Sequence, residues 1–249
     1  VTVLVGPNAV GKTNTVEALQ YLTAGQSFRR PSPAELVAPG AREARVSARL
    51  EGDGRVVDVE LVADEGSRKF LRNGKPCRSQ DLPGTLLSIL FCPDDLSLVK
   101  GSASMRRGEL DSFGAQANVG YRKVLSAYTR SVEQRNRLLK DGCDPVLLDA
   151  WDESVALGGA TLLHHRLSLF TRLSSLVGEV YADVASGEAL TCRYVPSVAG
   201  AEAGMGRDEL RDLMLRRMGE SRDDDLRRGQ TLVGPHRDDI SFEIEGRDA

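Results

Sequence analysis

The stretch Gly6-Pro7-Asn8-Ala9-Val10-Gly11-Lys12-Thr13 decides the fold, because it fits the phosphate-binding pattern G-x-x-x-x-G-K-[ST] in the right setting. Ahead of it, Val1-Thr2-Val3-Leu4-Val5 is a short apolar, β-branched run that reads as a buried strand. Behind it, Asn14 to Leu22 carries Val16, Leu19 and Leu22 at helical spacing, and the helix ends near Ala24-Gly25. Strand, glycine loop and helix together suit an anion. Glycines let the backbone come close, and successive N–H groups at a helix N-terminus face the charge. The nucleotide-binding set is therefore Gly6, Asn8, Ala9, Val10, Gly11, Lys12, Thr13 and Asn14. Lys12 brings a point charge to the β- and γ-phosphates of ATP, and the Thr13 hydroxyl is a ligand for Mg²⁺.

Composition narrows the class further. The 249 residues are 41% hydrophobic and 28% charged, as in an ordinary globular protein. A formal net charge of −3 excludes a generally basic nucleic-acid binder, so any DNA contact must come from a local patch. No apolar run approaches the ~20 residues that span a bilayer, and no secretory signal is visible, so no membrane role is expected. Cys77, Cys92, Cys143 and Cys192 form no C-x-x-C pair, and His164, His165 and His236 have no ligand spacing. Reduced thiols in a cytoplasmic protein are the expectation. The phosphate loop begins at residue 6, and a parallel strand needs neighbours on both sides, which suggests an internal piece of a longer protein.

Along the chain, Gln26 to Pro33 is a proline-broken loop whose Arg29 and Arg30 read equally well as nucleotide or nucleic-acid contacts and as solvated charge. Strands are predicted at 44–51, 55–63 and 67–72, with turns at Gly52-Asp53-Gly54 and Asn73-Gly74. Thr85 to Phe91 reads as another buried strand, emptying into Asp94 and Asp95. Those two acids are either Mg²⁺ neighbours or a helix cap. A helical region runs from about Met105 to Gly187 with one break at Asp141-Gly142. In its first long helix Tyr121, Leu125, Tyr128, Val132 and Leu139 share the apolar face, and Arg135 at its edge pairs inside the fold. Arg122, Arg130, Arg137 and Lys140 lie within about 80° of one another. This stripe is the candidate DNA-binding face, with a plain solvated face as the alternative.

The second long helix opens with Asp144 as cap and Pro145 in the first turn, and carries Leu163, Leu167, Phe170, Leu173, Val177 and Tyr181 as a stripe. The pair reads as a helical hairpin inserted into an α/β domain, with Trp151 in its core. Strands return at 189–195 and 240–245, around a glycine-rich flexible loop at 198–206 and an amphipathic helix at 207–217 whose solvated continuation is Arg222 to Asp225. His236 and Arg237, beside Asp238 and Asp239, serve either a site or structural ion pairs.

Several blocks together resemble the RecF family of bacterial recombination-repair proteins. They are Gly6–Thr13 with Glu17-Ala18; Ser27-Phe28-Arg29; Pro93-Asp94-Asp95-Leu96 through Val99-Lys100-Gly101 to Arg106-Arg107 and Leu110-Asp111; Tyr128 through Gln134-Arg135-Asn136 to Leu138-Leu139-Lys140; and Gly234 to Asp239. The resemblance runs through the whole chain, and the Pro93–Asp111 and Gln134-Arg135-Asn136 blocks are far more specific than the phosphate loop. It implies an α/β fold, the P-loop ABC-ATPase head related to SMC proteins. Lobe I would be a mixed sheet with helices over 1–104 and 188–249, and the mainly helical lobe II would be inserted over 105–187.

The resemblance also implies an ATP-dependent homodimer with Mg²⁺. Such a dimer binds DNA at single-strand/double-strand junctions and, with RecO and RecR, assists RecA loading. Ala9 stands where the family usually has glycine, a change free of strain if its φ is negative. Ala103 and Glu109 replace a usual proline and aromatic. The family's signature motif and Walker B acids fall beyond Ala249, so the general base is expected there, no catalytic residue is assigned in this chain, and no appreciable hydrolysis by it is expected. The alternative to a DNA-binding clamp is a P-loop kinase or other nucleotide-dependent phosphotransferase.

Overall fold

The computed structural model describes residues 1–25, 27–29, 31–52, 54–82, 87–118, 120–142, 144–185 and 187–249, with the side chains of Gln80 and Asp94 outside the description. Two compact units divide the chain, Val1–Phe91 and Cys92–Ala249.

In the first unit, α1 (Lys12–Ala24) is followed by β1 (Ala44–Gly52), β2 (Arg55–Ala63), β3 (Arg68–Arg72) and β4 (Lys75–Cys77). The strands form an antiparallel sheet in chain order. Alternation sets its two faces. Val59 and Leu61 pair with Ala48, Val46 and Phe70 across the ladder and pack under Tyr21 and Leu22 of α1. On the other face Arg49 pairs with Asp58 at 2.8 Å and Arg45 with Glu60 at 2.5 Å. Asn73 and Gly74, with φ of 51° and 73°, close a two-residue hairpin, as the Asn-Gly pair predicts. The three expected strands are all present. The Gly52–Gly54 turn is described except for Asp53.

Three expectations for this unit need correction. Val1–Val5 is exposed and forms no strand, because no strand among the described residues pairs with it. Leu87–Phe91 likewise forms no strand, with Leu87, Ile89 and Phe91 exposed, while Thr85 and Leu86 lie outside the described residues. In α1 the sheet meets Tyr21 and Leu22 with Glu17 also buried, whereas Val16 is half-buried and Leu19 exposed.

The second unit contains α2 (Ala103–Ala117), α3 (Tyr121–Asp141), α4 (Pro145–Val184), β5 (Leu190–Val195), α5 (Arg207–Glu220), α6 (Arg222–Arg228), β6 (Asp239–Ile244) and β7 (Arg247–Asp248). The expected single break in the helical region becomes two, since α2 ends at Asn118 in an extended conformation. Asp144 caps α4, its Oδ1 accepting from Val146 N at 2.9 Å, with Pro145 in the first turn. At 40 residues α4 is about 60 Å long.

Tyr121, Tyr128 and Val132 of α3, Val155, Leu162, Leu163 and Leu167 of α4, and Leu210, Met214 and Met218 of α5 form one core. Burying each such side chain contributes roughly 1.5–3 kcal/mol. Gly159 lets α4 approach both neighbours, since a Cβ there would collide with Met214 and Tyr128. Trp151 is half-buried and lies outside this core. The segment after β5, expected to be flexible, anchors Val198 and Ala201 in the core. Arg222–Asp225, expected to be solvated, belongs to α6, with Asp225 fully buried. Strands β5, β6 and β7 form an antiparallel sheet, with Tyr194 opposite Ile240 and Cys192 opposite Phe242.

Candidate nucleotide-binding site

The phosphate loop lies at the surface and ends in the N-terminus of α1. Gly11, at φ 101° and ψ 8°, turns the chain into the helix. The first N–H groups of α1 have no partner within the helix, and its first turn carries no acid to neutralise the positive end of the dipole. Lys12 reaches back over the loop, and its Nζ donates to the carbonyls of Gly6 and Pro7 at 2.7 Å each. The ammonium therefore sits on the same concave turn as the open amides. That donor set suits a polyphosphate. Ala9 has φ 65°, so the condition for a strain-free alanine is not met: a left-handed alanine occupies a turn that favours glycine.

The loop after α1 is fastened to it. Ser27 Oγ donates to Glu17 Oε1, Phe28 N donates to Gln20 Oε1 at 2.7 Å, and Arg29 N donates to Ser27 Oγ at 3.0 Å. Arg29 Nη1 donates to Asn14 Oδ1 and Glu17 Oε2, each at 3.1 Å, which holds the guanidinium beside the first turns of α1. Arg30 lies outside the described residues. Sequence reasoning gave Glu17 and Gln20 no role. Their signal was position, because Glu17 shares a helical face with Tyr21 and must find a partner when buried.

Thr13 is exposed at the helix start, where its hydroxyl suits Mg²⁺. Asp95 Oδ2 accepts from Cys92 N at 2.6 Å and so caps the short 3₁₀ turn Pro93–Leu98. The Asp94 side chain lies outside the description. Among the described residues no three His, Cys, Asp or Glu side chains group as a metal site. On α3, Arg130, Arg137 and Lys140 are exposed, with Glu133 exposed among them. Arg122 is half-buried, and burial lowers its pKa.

No protein-family model matches the chain. The DNA replication and repair protein RecF of Pseudarthrobacter chlorophenolicus is 36% identical over 276 residues, covering 97% of this chain and 69% of that protein. Its counterpart in Kineococcus radiotolerans is 38% identical over 270 residues, covering 100% and 68% respectively. The chain belongs to the RecF family. It spans about two thirds of the length of these relatives. A solved structure of the recombination mediator protein RecF with ATPrS, in the RecFOR pathway, matches with a TM-score of 0.90 at 29% identity, over 98% of this chain and 67% of that one. A RecF–ATP structure matches at 0.89. The fold is thus the α/β ABC-ATPase head.

The RecF-like blocks of the second unit converge on one another. Arg106 makes a two-pronged pair with Asp239, at 2.7 and 3.0 Å, and its Nη1 donates to the carbonyls of Leu98, Val99 and Gly101. Arg107 donates to Asp238 O at 2.6 Å. Buried Arg166 grips Asp111 at 2.8 and 2.9 Å and donates to Pro235 O. Asp238 accepts from Tyr194 Oη and Ser197 N, and burial raises its pKa.

His236 Nε2 lies 3.0 Å from Thr231 O, which fixes that nitrogen as the N–H donor. Nδ1 then accepts from Tyr128 Oη at 2.6 Å. Desolvation pushes His236 down to about 4. Gly234, at φ 135°, leaves room for that contact, since a Cβ would strike Tyr128 Oη. Arg135, as expected, pairs inside the fold, with Asp152 and Asp225 at 2.5 and 2.6 Å and with Thr231 Oγ1 at 2.9 Å. Ala103 occupies the first turn of α2, where a proline fits without cost, and Glu109 is exposed on the same helix.

Proposed function

We propose that this chain is the nucleotide-binding head portion of a RecF-type DNA-repair ATPase, acting in DNA replication and repair as a nucleotide-controlled DNA binder. The observation that carries this is Lys12 folded over a turn of open amides at an uncapped helix N-terminus. ATP would be held by the amides and side chains from Gly6 to Asn14. Lys12 would exchange its two carbonyl partners for phosphate oxygens, and Thr13 would contribute a hydroxyl to Mg²⁺. Bound nucleotide supplies the γ-phosphate that a second copy recognises, so ATP favours a homodimer and its loss releases it.

The finer reading includes binding at single-strand/double-strand junctions, partnership with RecO and RecR in RecA loading, and a cytoplasmic setting. Kinship with RecF proteins supports it. Among the described residues no helix is long and apolar enough to cross a membrane. We assign lobe I to 1–104 and 188–249 and lobe II to 105–187, and the DNA-facing stripe to Arg122, Arg130, Arg137 and Lys140.

A thermal shift with Mg²⁺ and a non-hydrolysable ATP analogue tests the core of this reading. Ligand at 100 times its Kd adds about 2.7 kcal/mol, a rise of roughly 5–10 °C for a chain of this size. Lys12→Ala should abolish the rise. An equal rise in the variant would remove the phosphate loop from nucleotide binding.

A further inference from the structure

The Gly234–Asp239 block is committed inward except at one residue. Gly234, Pro235 and Asp238 are buried, His236 is bound to Tyr128 and Thr231, and Asp239 is paired with Arg106. Arg237 is the exposed residue of the block, with the Arg106-paired Asp239 side chain partly open two residues on, and its guanidinium is fixed. Its Nε donates to Thr231 O at 3.2 Å and its Nη2 to Gln230 Oε1 at 2.9 Å. Both acids that follow it in sequence already serve other partners, and among the described residues it has no ion pair. An exposed arginine held by two neutral oxygens, with one nitrogen still open, is set up for an anion from outside.

The segment that holds Arg237 carries a second cation. Arg228 ends α6 exposed, and among the described residues its side chain has no hydrogen bond or ion pair, whereas its neighbour Arg227 is taken by Asp224. The next residue, Gly229, lies on the stem of Lys140, so close that a Cβ there would come within 2.9 Å of Lys140 Cγ. Thr231 is tied to Asn136 of α3 at 2.7 Å. Arg228, Arg237 and Lys140 therefore surround one short segment, Gly229–Thr231, that lies along the end of α3. Two exposed acids of α3 flank these cations, Glu133 two turns before Lys140 and Asp141 directly after it.

We infer that Arg228 and Arg237 join Lys140 as a phosphodiester-binding patch for the nucleic-acid backbone, centred on the segment after α6 and not on α3 alone. This rests on the reading of the chain as a DNA binder. Contacts of this kind position the duplex and carry no base sequence.

The test is anisotropy titration of a labelled duplex with a single-stranded tail, with Mg²⁺–ATP and at several salt concentrations. Arg228→Gln/Arg237→Gln should weaken binding on the order of tenfold and reduce the slope of log K against log salt by about 2, independent of sequence. Arg237→Lys should keep the slope, and Arg227→Gln should change neither quantity. Arg228→Gln alone breaks no described contact and should reduce the slope by about 1 even if the double variant unfolds. An unchanged slope in the folded variants, with normal binding by the unsubstituted protein, overturns this patch only. No binding by the unsubstituted protein overturns the DNA-binding reading together with the patch.

Discussion

Ala9 holds φ 65°, and a left-handed alanine there stores strain of about 1–2 kcal/mol. Ala9→Gly relieves it and restores about 0.4–1 kcal/mol of unfolded-chain entropy. The net expectation is a gain of up to about 1.5 kcal/mol, read as a higher Tm. A lower Tm would show that the turn is not left-handed in solution. His236 gives a second expectation. Its folded pKa of about 4 lies below the unfolded value near 6.5, so the unfolded chain takes up the proton first as pH falls. Stability contributed by the neutral ring is complete above pH ~6.5 and is lost down to pH ~4, by roughly 3 kcal/mol. Between pH 6.5 and 5, before most carboxylates titrate, Tm should fall more steeply than in His236→Gln. Parallel curves would dismiss the imidazole as the cause.

The helices and the surface-facing strands were legible because their periodicity is local. The α3 face from Tyr121 to Leu139 and the Asn73-Gly74 turn need only neighbours a few residues away. Val1–Val5 and Leu87–Phe91 show the limit, because a continuous apolar run becomes a strand only where another strand pairs with it. The phosphate loop was readable from its glycines and Lys12, whereas the Glu17–Arg29 clasp depends on a loop folding back and leaves no spacing to recognise. Arg135 was read as an inward-facing cation, but its partner Asp225 looked like a solvated acid in a charged run. That pairing joins α3 to α6, and Asp225→Ala would leave a buried guanidinium short of a counter-charge. Chemical denaturation should show a loss of about 3–5 kcal/mol. Asp225→Ala combined with Arg135→Met should lose less than the sum of the two single changes, and simple additivity would mean that the ions do not interact.

For the whole molecule, a net charge of −3 and a local basic patch are compatible because net charge does not fix where the charges lie, and Arg228 and Arg237 have no ion pair among the described residues. The stripe on α3 is tested at this scale, since no single cation decides it. Reversing Arg130, Arg137 and Lys140 to Glu should abolish ATP-dependent DNA binding with Tm retained. Retained affinity would dismiss the stripe.

The pair between Arg106 and Asp239 joins residues 133 apart in sequence, and Arg107 reaches Asp238 across nearly the same interval. That distance has a meaning in time. During synthesis at about 5–20 residues per second, the turn after Pro93 waits roughly 7 to 27 s for the partner that completes it. Until then Arg106 lacks the carboxylate of Asp239, and α3 and α4 are synthesised within that interval before α5, the helix that completes their shared core. A nascent chain of this protein therefore passes through a long interval of exposed surface, and its yield in a cell depends on what shields that surface until Asp239 arrives.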